Sequence, residues 1–183
     1  MWYIIKAYSR FLRKATNQHR VHSPFVYTFV TKCLYRKTPE EAKKQLKAYR
    51  NILRQSDEVI EVTDFGAGSR VFKSNRRAVK DITKHAGASF SRMKLLYRIV
   101  AYFKPNAILE LGTSVGLATV SLALPKTGKV TSLEGCPQTA TVAQRHLKSA
   151  EISNVEVVEG DFKQTLPQVI SEKFDLIYFD GNH

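Results

Sequence analysis

The stretch ILELGTSVGLATVSLA, residues 108–123, decides the fold, because an apolar run breaks on a glycine-containing loop and then resumes as an apolar helix. It contains the first of four short apolar runs, which are separated by segments of helical character. Strands that alternate with helices at this spacing are typical of a parallel sheet covered by crossover helices, so the sequence predicts an α/β fold. The predicted strands are AILEL (107–111), KVTSLE (129–134), VEVVEG (155–160) and FDLIYFD (174–180).

The first 55 residues have a different character and predict three short helices. The first, over residues 2–16, is amphipathic. The second begins with Ser23 as its N-cap and Pro24 at its first helical position, and the third begins with a capping box of Thr38 and Glu41. The face of the third helix that should be buried is formed by Ala42, Leu46, Tyr49 and Leu53.

A second glycine-containing stretch, VTDFGAGSR (62–70), follows a short strand predicted over residues 58–65. It has neither the glycines of a dinucleotide-binding fingerprint nor the lysine of a P-loop, so we interpret it as a turn. The alternative is that Asp64 to Gly68 line the substrate side of a site. We therefore expect a basic, mainly helical N-terminal cap over residues 1–88 and a sheet domain over residues 89–183.

The charge of the chain is unevenly distributed. Residues 1–104 hold 23 Lys and Arg against 7 Asp and Glu, whereas residues 105–183 hold 6 against 9. A basic half of this kind is typical of a surface that binds nucleic acid or another anion, and it is equally typical of solvated helix faces.

The two cysteines, Cys33 and Cys136, lie far apart and have no metal-ligand spacing around them, which favours buried, reduced thiols. The N-terminus has an apolar run of only four residues, too short for a signal peptide or a membrane span. These features predict a cytoplasmic protein without a membrane partner.

Acidic residues mark the end of each predicted strand. In a parallel sheet these ends meet at one edge, where ligands bind, and an acidic edge favours a cationic ligand over a phosphate. Glu134 follows Gly112 by 22 residues, close to the spacing at which an acidic side chain binds a ribose diol. The sequence therefore predicts a site for a positively charged nucleoside. The acidic residues are Glu110, Glu134, Asp161 and Asp180.

Residues 86–183 resemble the class I S-adenosylmethionine-dependent methyltransferases, in the small O-methyltransferase branch of the catechol and caffeoyl-CoA type. The resemblance rests on ILELGTSVGLATVSLA, VTSLEGCPQTATVAQRHL, VVEGDF and FDLIYFDGNH, which follow each other in the family's order. It implies a Rossmann-like, doubly wound parallel sheet, of which this chain holds the first four strands. It also implies methyl transfer from S-adenosylmethionine to an oxygen of a small acceptor, which the basic cap would favour if the acceptor is anionic.

The resemblance implies a role for each matching residue. Glu110 would orient the methionine end of the cofactor, Glu134 would bind the ribose, and Asp161 with Phe162 would flank the adenine. Asp180 stands at the end of the fourth strand, where the family's metal-dependent members bind magnesium. The loop of the cofactor site would be formed by Gly112, Thr113, Ser114 and Gly116.

The sequence departs from the family pattern after Asp180. The family's later Asp-Asn pair, its catalytic lysine and its last three strands do not follow, so a magnesium site at Asp180 is in doubt, although Asn182 and His183 could supply ligands. Asp180 and His183 are the candidates for catalysis at this edge. We expect a C-terminally truncated form whose fourth strand is an exposed edge, covered by a partner or a second copy of the chain.

Two other functions remain open at this point. A nucleic-acid methyltransferase would explain the basic cap, although the chain lacks the N/D-P-P-Y/F motif of enzymes that methylate base amines. A non-catalytic module that binds the cofactor would explain the departures from the family pattern.

Overall fold

The structure, a computed structural model, describes residues 2–14, 22–63, 74–171 and 173–180. Their contacts divide the chain into two compact units, Met1–Lys37 and Thr38–His183. The division expected after residue 88 stays a prediction.

The first unit is helical in the part that is described. Helix α1 spans Trp2–Lys14, and α2 spans Pro24–Phe29 and continues into a π-helical turn at Val30–Leu34. Ser23 caps α2 by accepting a hydrogen bond from the backbone N–H of Val26 at 3.4 Å. The predicted start of this helix is therefore confirmed.

The second unit begins with helix α3, Glu40–Arg54, which buries the four side chains predicted for its inner face. The predicted capping box is wrong, because the N-cap is Pro39 and no side chain caps the helix. Thr38 instead donates its hydroxyl to the carbonyl of Lys94 at 3.4 Å and accepts a hydrogen bond from Arg98 at 3.2 Å. A tertiary contact has taken the place of the local one.

Two short strands and two helices lead to the sheet. Of the strand predicted over residues 58–65, the described part forms a strand only at Val59–Glu61, which pairs antiparallel with a second short strand, Arg76–Ala78. Asp64 to Gly68 lie outside the described residues. The elements are β1 (Val59–Glu61), β2 (Arg76–Ala78), α4 (Val79–His85) and α5 (Phe90–Phe103).

A four-stranded parallel sheet forms the centre of the second unit, with the strand order β5-β4-β3-β6. The strands coincide with the predicted ones to within two residues at their ends, and the predicted α/β, doubly wound fold is confirmed. The remaining elements are β3 (Ala107–Leu111), α6 (Leu117–Ala123), β4 (Lys129–Glu134), α7 (Pro137–Ser149), β5 (Val155–Glu159), α8 (Phe162–Val169) and β6 (Leu176–Phe179).

Each face of the sheet has its own apolar cluster, because successive side chains of a strand point to opposite faces. Ile108 and Val130 belong to a large cluster with residues of α3 to α7. Leu109, Leu111 and Leu133 belong to a smaller cluster with residues of α8. Helices thus cover both faces of β3 and β4, the two central strands.

Strand β6 is an edge strand among the described residues, as the sequence predicted. On the α8 side of the sheet, Ile177 and Phe179 are 48% and 61% exposed. Both cysteines are buried, and neither is paired in a disulfide bond. No described helix is long and apolar enough to cross a membrane.

The same isoleucine-to-alanine substitution should lower the free energy of unfolding by different amounts on the two faces of the sheet. Ile108 is completely buried on β3, whereas Ile177 on the neighbouring β6 is half exposed. Ile108→Ala should lower the free energy of unfolding by about 2–5 kcal/mol, because it leaves a cavity in the core. Ile177→Ala should lower it by less than about 1 kcal/mol. Urea denaturation measures both, and equal losses would contradict the described packing.

Candidate functional site

The carboxyl ends of the four parallel strands bring the predicted acidic residues to one edge of the sheet. Leu111 lies opposite Leu133, and Glu134 lies opposite Glu159, just before the turn to Asp161. On the other side the backbone N–H of Asp180 donates to the carbonyl of Leu111 at 2.9 Å. The edge is therefore a continuous acidic rim built on a rigid sheet.

A glycine loop, residues 112–116, connects β3 with α6 at the centre of this edge. The backbone N–H groups of Gly112 and Thr113 both donate to the carbonyl of Leu133, at 2.9 and 3.2 Å. Gly112 and Gly116 have φ angles of 103° and 82°, which side-chain-bearing residues rarely adopt. The predicted turn is present, and the end of β4 holds its first half.

Glu134 holds the middle of the glycine loop. One carboxylate oxygen accepts the backbone N–H of Ser114 at 2.6 Å, and the other accepts that of Cys136 at 2.9 Å. Ser114 has a φ angle of 49°, so this bond stabilises a residue in a left-handed conformation. A carboxylate has about four lone-pair positions, so Glu134 can still accept hydrogen bonds from a ligand.

Glu110 is a carboxyl group with no exposed surface. Its Oε2 accepts hydrogen bonds from the hydroxyls of Thr119 and Ser132, both at 2.6 Å. Since Ser132 uses its proton for Glu110, the hydroxyl of Thr113 must be the donor in its 2.5 Å bond to Ser132. This chain of donors links the glycine loop directly to Glu110.

The second oxygen of Glu110, Oε1, is buried and has no hydrogen-bond partner among the described residues. Burial raises the pKa of Glu110 to about 8, although the hydrogen bonds from Ser132 and Thr119 act in the opposite direction. The negative charges of Asp180 and Glu134 raise it further. Glu110 therefore has an unsatisfied position that a donor or a cation would fill.

Tyr49 approaches the glycine loop from helix α3. Its buried hydroxyl donates to the carbonyl of Val115 at 3.1 Å. A Cβ atom built on Gly116 would lie 2.5 Å from the same hydroxyl. The resemblance placed Gly116 in the loop of the cofactor site, and the structure gives two local reasons for a glycine there: the left-handed backbone and the close tyrosine hydroxyl.

Asp161 and Phe162 begin helix α8 at the end of β5. Asp161 is the N-cap, and its side chain accepts the backbone N–H of Lys163 at 2.9 Å. Phe162 packs against the smaller apolar cluster below α8. The side chain of Phe162 therefore has a packing role, and the adenine-flanking role of this pair stays a prediction.

Asp180 lies beside an arginine. Its Oδ1 is 3.5 Å from the guanidinium of Arg92 on α5. Burial raises the pKa of Asp180, while a hydrogen bond from Tyr178 and the charge of Arg92 act to lower it. In turn, burial first and the charge of Asp180 second raise the pKa of Tyr178 to about 12.

A magnesium site at Asp180 stays a prediction. No group of three or more His, Cys, Asp or Glu side chains comes together in the part of the chain that is described, and an arginine occupies one side of the carboxylate. Asn182 and His183, the other residues considered for a metal or for catalysis, lie outside the described residues.

Four residues of this site escaped the sequence interpretation: Tyr49, Arg92, Thr119 and Ser132. Thr119 and Ser132 could have been found from the sequence, because each places a hydroxyl in the middle of an apolar helix or strand, and a buried hydroxyl needs a hydrogen-bond partner. Tyr49 and Arg92 could not have been found in this way, since their partners are 66 and 88 positions away in the sequence. Only the tertiary fold brings them to the edge of the sheet.

Comparisons with known proteins point to one family. Residues 109–183 match the family model described as a methyltransferase domain. A stretch of 95 residues is 36% identical to a catechol O-methyltransferase of Niastella koreensis and covers 49% of this chain and 43% of that relative. The chain thus spans less than half the length of this relative.

Solved structures share the fold. An SAH-bound methyltransferase of Podospora anserina matches with a TM-score of 0.55 and 18% identity, over 92% of this chain and 60% of that one. An O-methyltransferase of Bacillus cereus in complex with SAH matches with a TM-score of 0.53 and 21% identity, over 86% and 60%. At these identities the likeness concerns the fold alone.

The buried carboxyl of Glu110 should make stability depend on pH. The folded state holds its proton up to about pH 8, whereas the unfolded chain releases it near the ordinary value of 4.5. The folded state therefore binds more protons in this window, and its free energy of unfolding should fall as pH rises from about 4.5 to about 8.

Glu110→Gln removes this titration. Urea denaturation at about pH 5 and about pH 8.5 should show the variant gaining stability relative to the wild type at the higher pH. Parallel pH profiles of the two proteins would mean that Glu110 is already ionised in the folded state at low pH.

Proposed function

We propose that this chain, which belongs to the class I small O-methyltransferases, is an S-adenosylmethionine-dependent enzyme that methylates an oxygen of a small acceptor molecule. The observation that carries the proposal is the buried Glu110, whose Oε1 has no hydrogen-bond partner among the described residues and which stands on the strand that leads to the rim of acidic residues around the glycine loop. Such a rim suits a cationic cofactor and disfavours the pyrophosphate of a dinucleotide.

The site offers the types of chemical group that S-adenosylmethionine would need. Glu110 offers its unsatisfied oxygen to the amino group of the methionine moiety, and Glu134 offers its remaining lone pairs to the ribose hydroxyls. The glycine loop, residues 112–116, provides a surface without a side chain at Gly112. Asp161 and Phe162 are proposed to contact the adenine. When bound, the cofactor supplies a methyl group activated by its sulfonium charge.

The protein contributes mainly positioning. Methyl transfer would be a single displacement, in which the carbon–sulfur bond breaks as the carbon–oxygen bond forms, so the chain would have to hold cofactor and acceptor in line. The acidic rim should also bind S-adenosylmethionine, whose sulfur is positively charged, more tightly than S-adenosylhomocysteine, whose sulfur is neutral. Both tasks need the rigid carboxyl edge of the sheet and no covalent intermediate on the protein.

Asp180 is the described residue proposed to meet the acceptor. Its carboxylate is partly buried at the end of β6, and its raised pKa brings it closer to the range useful for accepting a proton from a hydroxyl. Arg92 beside it can bind an anionic group of the acceptor. His183 is the second catalytic candidate in this proposal. It lies outside the described residues.

The relatives do not favour the nucleic-acid alternative, since those matched along the sequence are O-methyltransferases. The acceptor itself stays at the level of a small molecule. A cytoplasmic location remains part of the proposal because neither cysteine is paired in a disulfide bond.

Binding of S-adenosylhomocysteine tests the proposed site directly. Isothermal titration calorimetry of the wild type should give micromolar binding, with no heat from NAD. Glu134→Ala should weaken binding more than about tenfold, because it removes the acceptor for the ribose and for two backbone N–H groups of the site. The matched control is Glu156→Ala, which removes an exposed carboxylate paired with Lys129 and should leave binding unchanged. Equal effects of the two variants would contradict the role of Glu134.

The affinity for S-adenosylmethionine should depend on pH through Glu110. Below about pH 8 this carboxyl is protonated, and a cationic cofactor binds the ionised form better, so binding should release a proton. The affinity of the wild type should therefore rise between about pH 6 and about pH 8, and that of Glu110→Gln should change less. Calorimetry in buffers of different ionisation enthalpy counts the released protons. An affinity independent of pH in the wild type would refute this coupling.

A further inference from the structure

Tyr49 connects helix α3 with the glycine loop, residues 112–116. Its side chain is 4% exposed, and the carbonyl of Val115 that accepts its hydroxyl belongs to a completely buried residue. A buried carbonyl without this donor would be unsatisfied, which is costly in a protein interior. The tyrosine thus supplies a hydrogen bond that no neighbour in the loop provides.

The hydroxyl of Tyr49 is a permanent donor in a fixed position. Burial, and secondarily the charge of Glu110, raises the pKa of Tyr49 above its usual value, so the group keeps its proton across the physiological range. The ring of Tyr49 meets the imidazole of His146 edge-on, with 6.5 Å between ring centroids. The neighbouring residues of α3 on the same face, Leu46 and Leu53, have no exposed surface.

The glycine loop needs such support, because one of its residues other than glycine has an unusual backbone conformation. Ser114 has a positive φ angle, and in a residue with a side chain such a conformation persists only where surrounding contacts impose it. Glu134 binds the N–H of Ser114, and Tyr49 binds the carbonyl of Val115. Two successive residues are therefore held by two side chains from different elements.

We propose that Tyr49 is a positioning residue that holds the glycine loop in its cofactor-binding conformation before the cofactor arrives. This inference rests on the proposed function. It assigns to α3, a helix without cofactor motifs of its own, the task of preparing the loop. The population of loops ready to bind would fall without the hydroxyl, and the apparent affinity would fall by the same factor.

Tyr49→Phe tests this with the smallest change, since it removes the hydroxyl and keeps the ring. It should weaken the binding of S-adenosylhomocysteine about tenfold, measured by calorimetry. The matched control is Tyr97→Phe, because Tyr97 packs against the same core cluster and takes part in none of the described hydrogen bonds of the loop. This control should bind as the wild type does.

A double-mutant cycle tests the contact without any cofactor. In the wild type, the new Cβ of Gly116→Ala would lie 2.5 Å from the Tyr49 hydroxyl oxygen, whereas the ring carbon behind it is 3.5 Å away. Gly116→Ala should therefore destabilise the Tyr49→Phe protein less than the wild type or the Tyr97→Phe protein, as measured by urea denaturation. The strain of the positive φ is the same in all three backgrounds.

Hydrogen exchange provides the third readout. The N–H of Gly116, which donates to Thr113 within the loop, should exchange faster in Tyr49→Phe than in Tyr97→Phe. A Tyr49→Phe protein that is less stable but binds with unchanged affinity would overturn the positioning role. If the wild type failed to bind S-adenosylhomocysteine, the proposed function would fail, and unchanged exchange at Gly116 would separately overturn the inference about Tyr49.

Discussion

The parallel pairing of β3 with β4 is the constraint on which the rest of the site depends. Its register places Glu110 opposite Ser132 and Leu111 opposite Leu133. The first pair gives the buried carboxyl one of its two hydroxyl donors. Beyond the second pair the hydrogen bonding continues into the glycine loop, because the carbonyl of Leu133 accepts hydrogen bonds from the N–H groups of Gly112 and Thr113. A slip of one residue would turn Glu110 toward the other face of the sheet and remove both sets of contacts.

The hydrogen-bonding capacity of the buried Glu110 carboxyl is only half satisfied. Two hydroxyls stabilise one oxygen of Glu110, and the other oxygen lacks a partner among the described residues. A core built for stability alone would carry an apolar residue there, since a buried polar atom without a hydrogen-bond partner costs free energy. The cost is understandable if the missing partner is a ligand with a positive charge.

Much of the fold could be predicted from the sequence, because the strands of a buried parallel sheet are continuous apolar runs. Strands β3 and β4 begin and end at the predicted residues, and the acidic residues at the strand ends do share one edge. The capping box of Thr38 was wrong because its hydroxyl is used by α5, far away in sequence.

The partners within the site could not be predicted in the same way. The approach of Tyr49 to Val115 depends on how α3 packs against the loop, which no local pattern encodes. The ion pair of Arg92 with Asp180 likewise depends on the placement of α5 beside the end of β6. Sequence patterns therefore predicted which edge of the sheet carries the site. The side chains that support the site, Tyr49 and Arg92, are known only from the tertiary structure.

The most direct test of this account is a crystal structure of the chain with S-adenosylhomocysteine. We expect the cofactor product to lie across the carboxyl ends of β3 and β4, with its ribose hydroxyls at Glu134 and its amino group at the free oxygen of Glu110. A ligand bound elsewhere on the chain, with the glycine loop and Glu110 left without contact to it, would contradict the central claim.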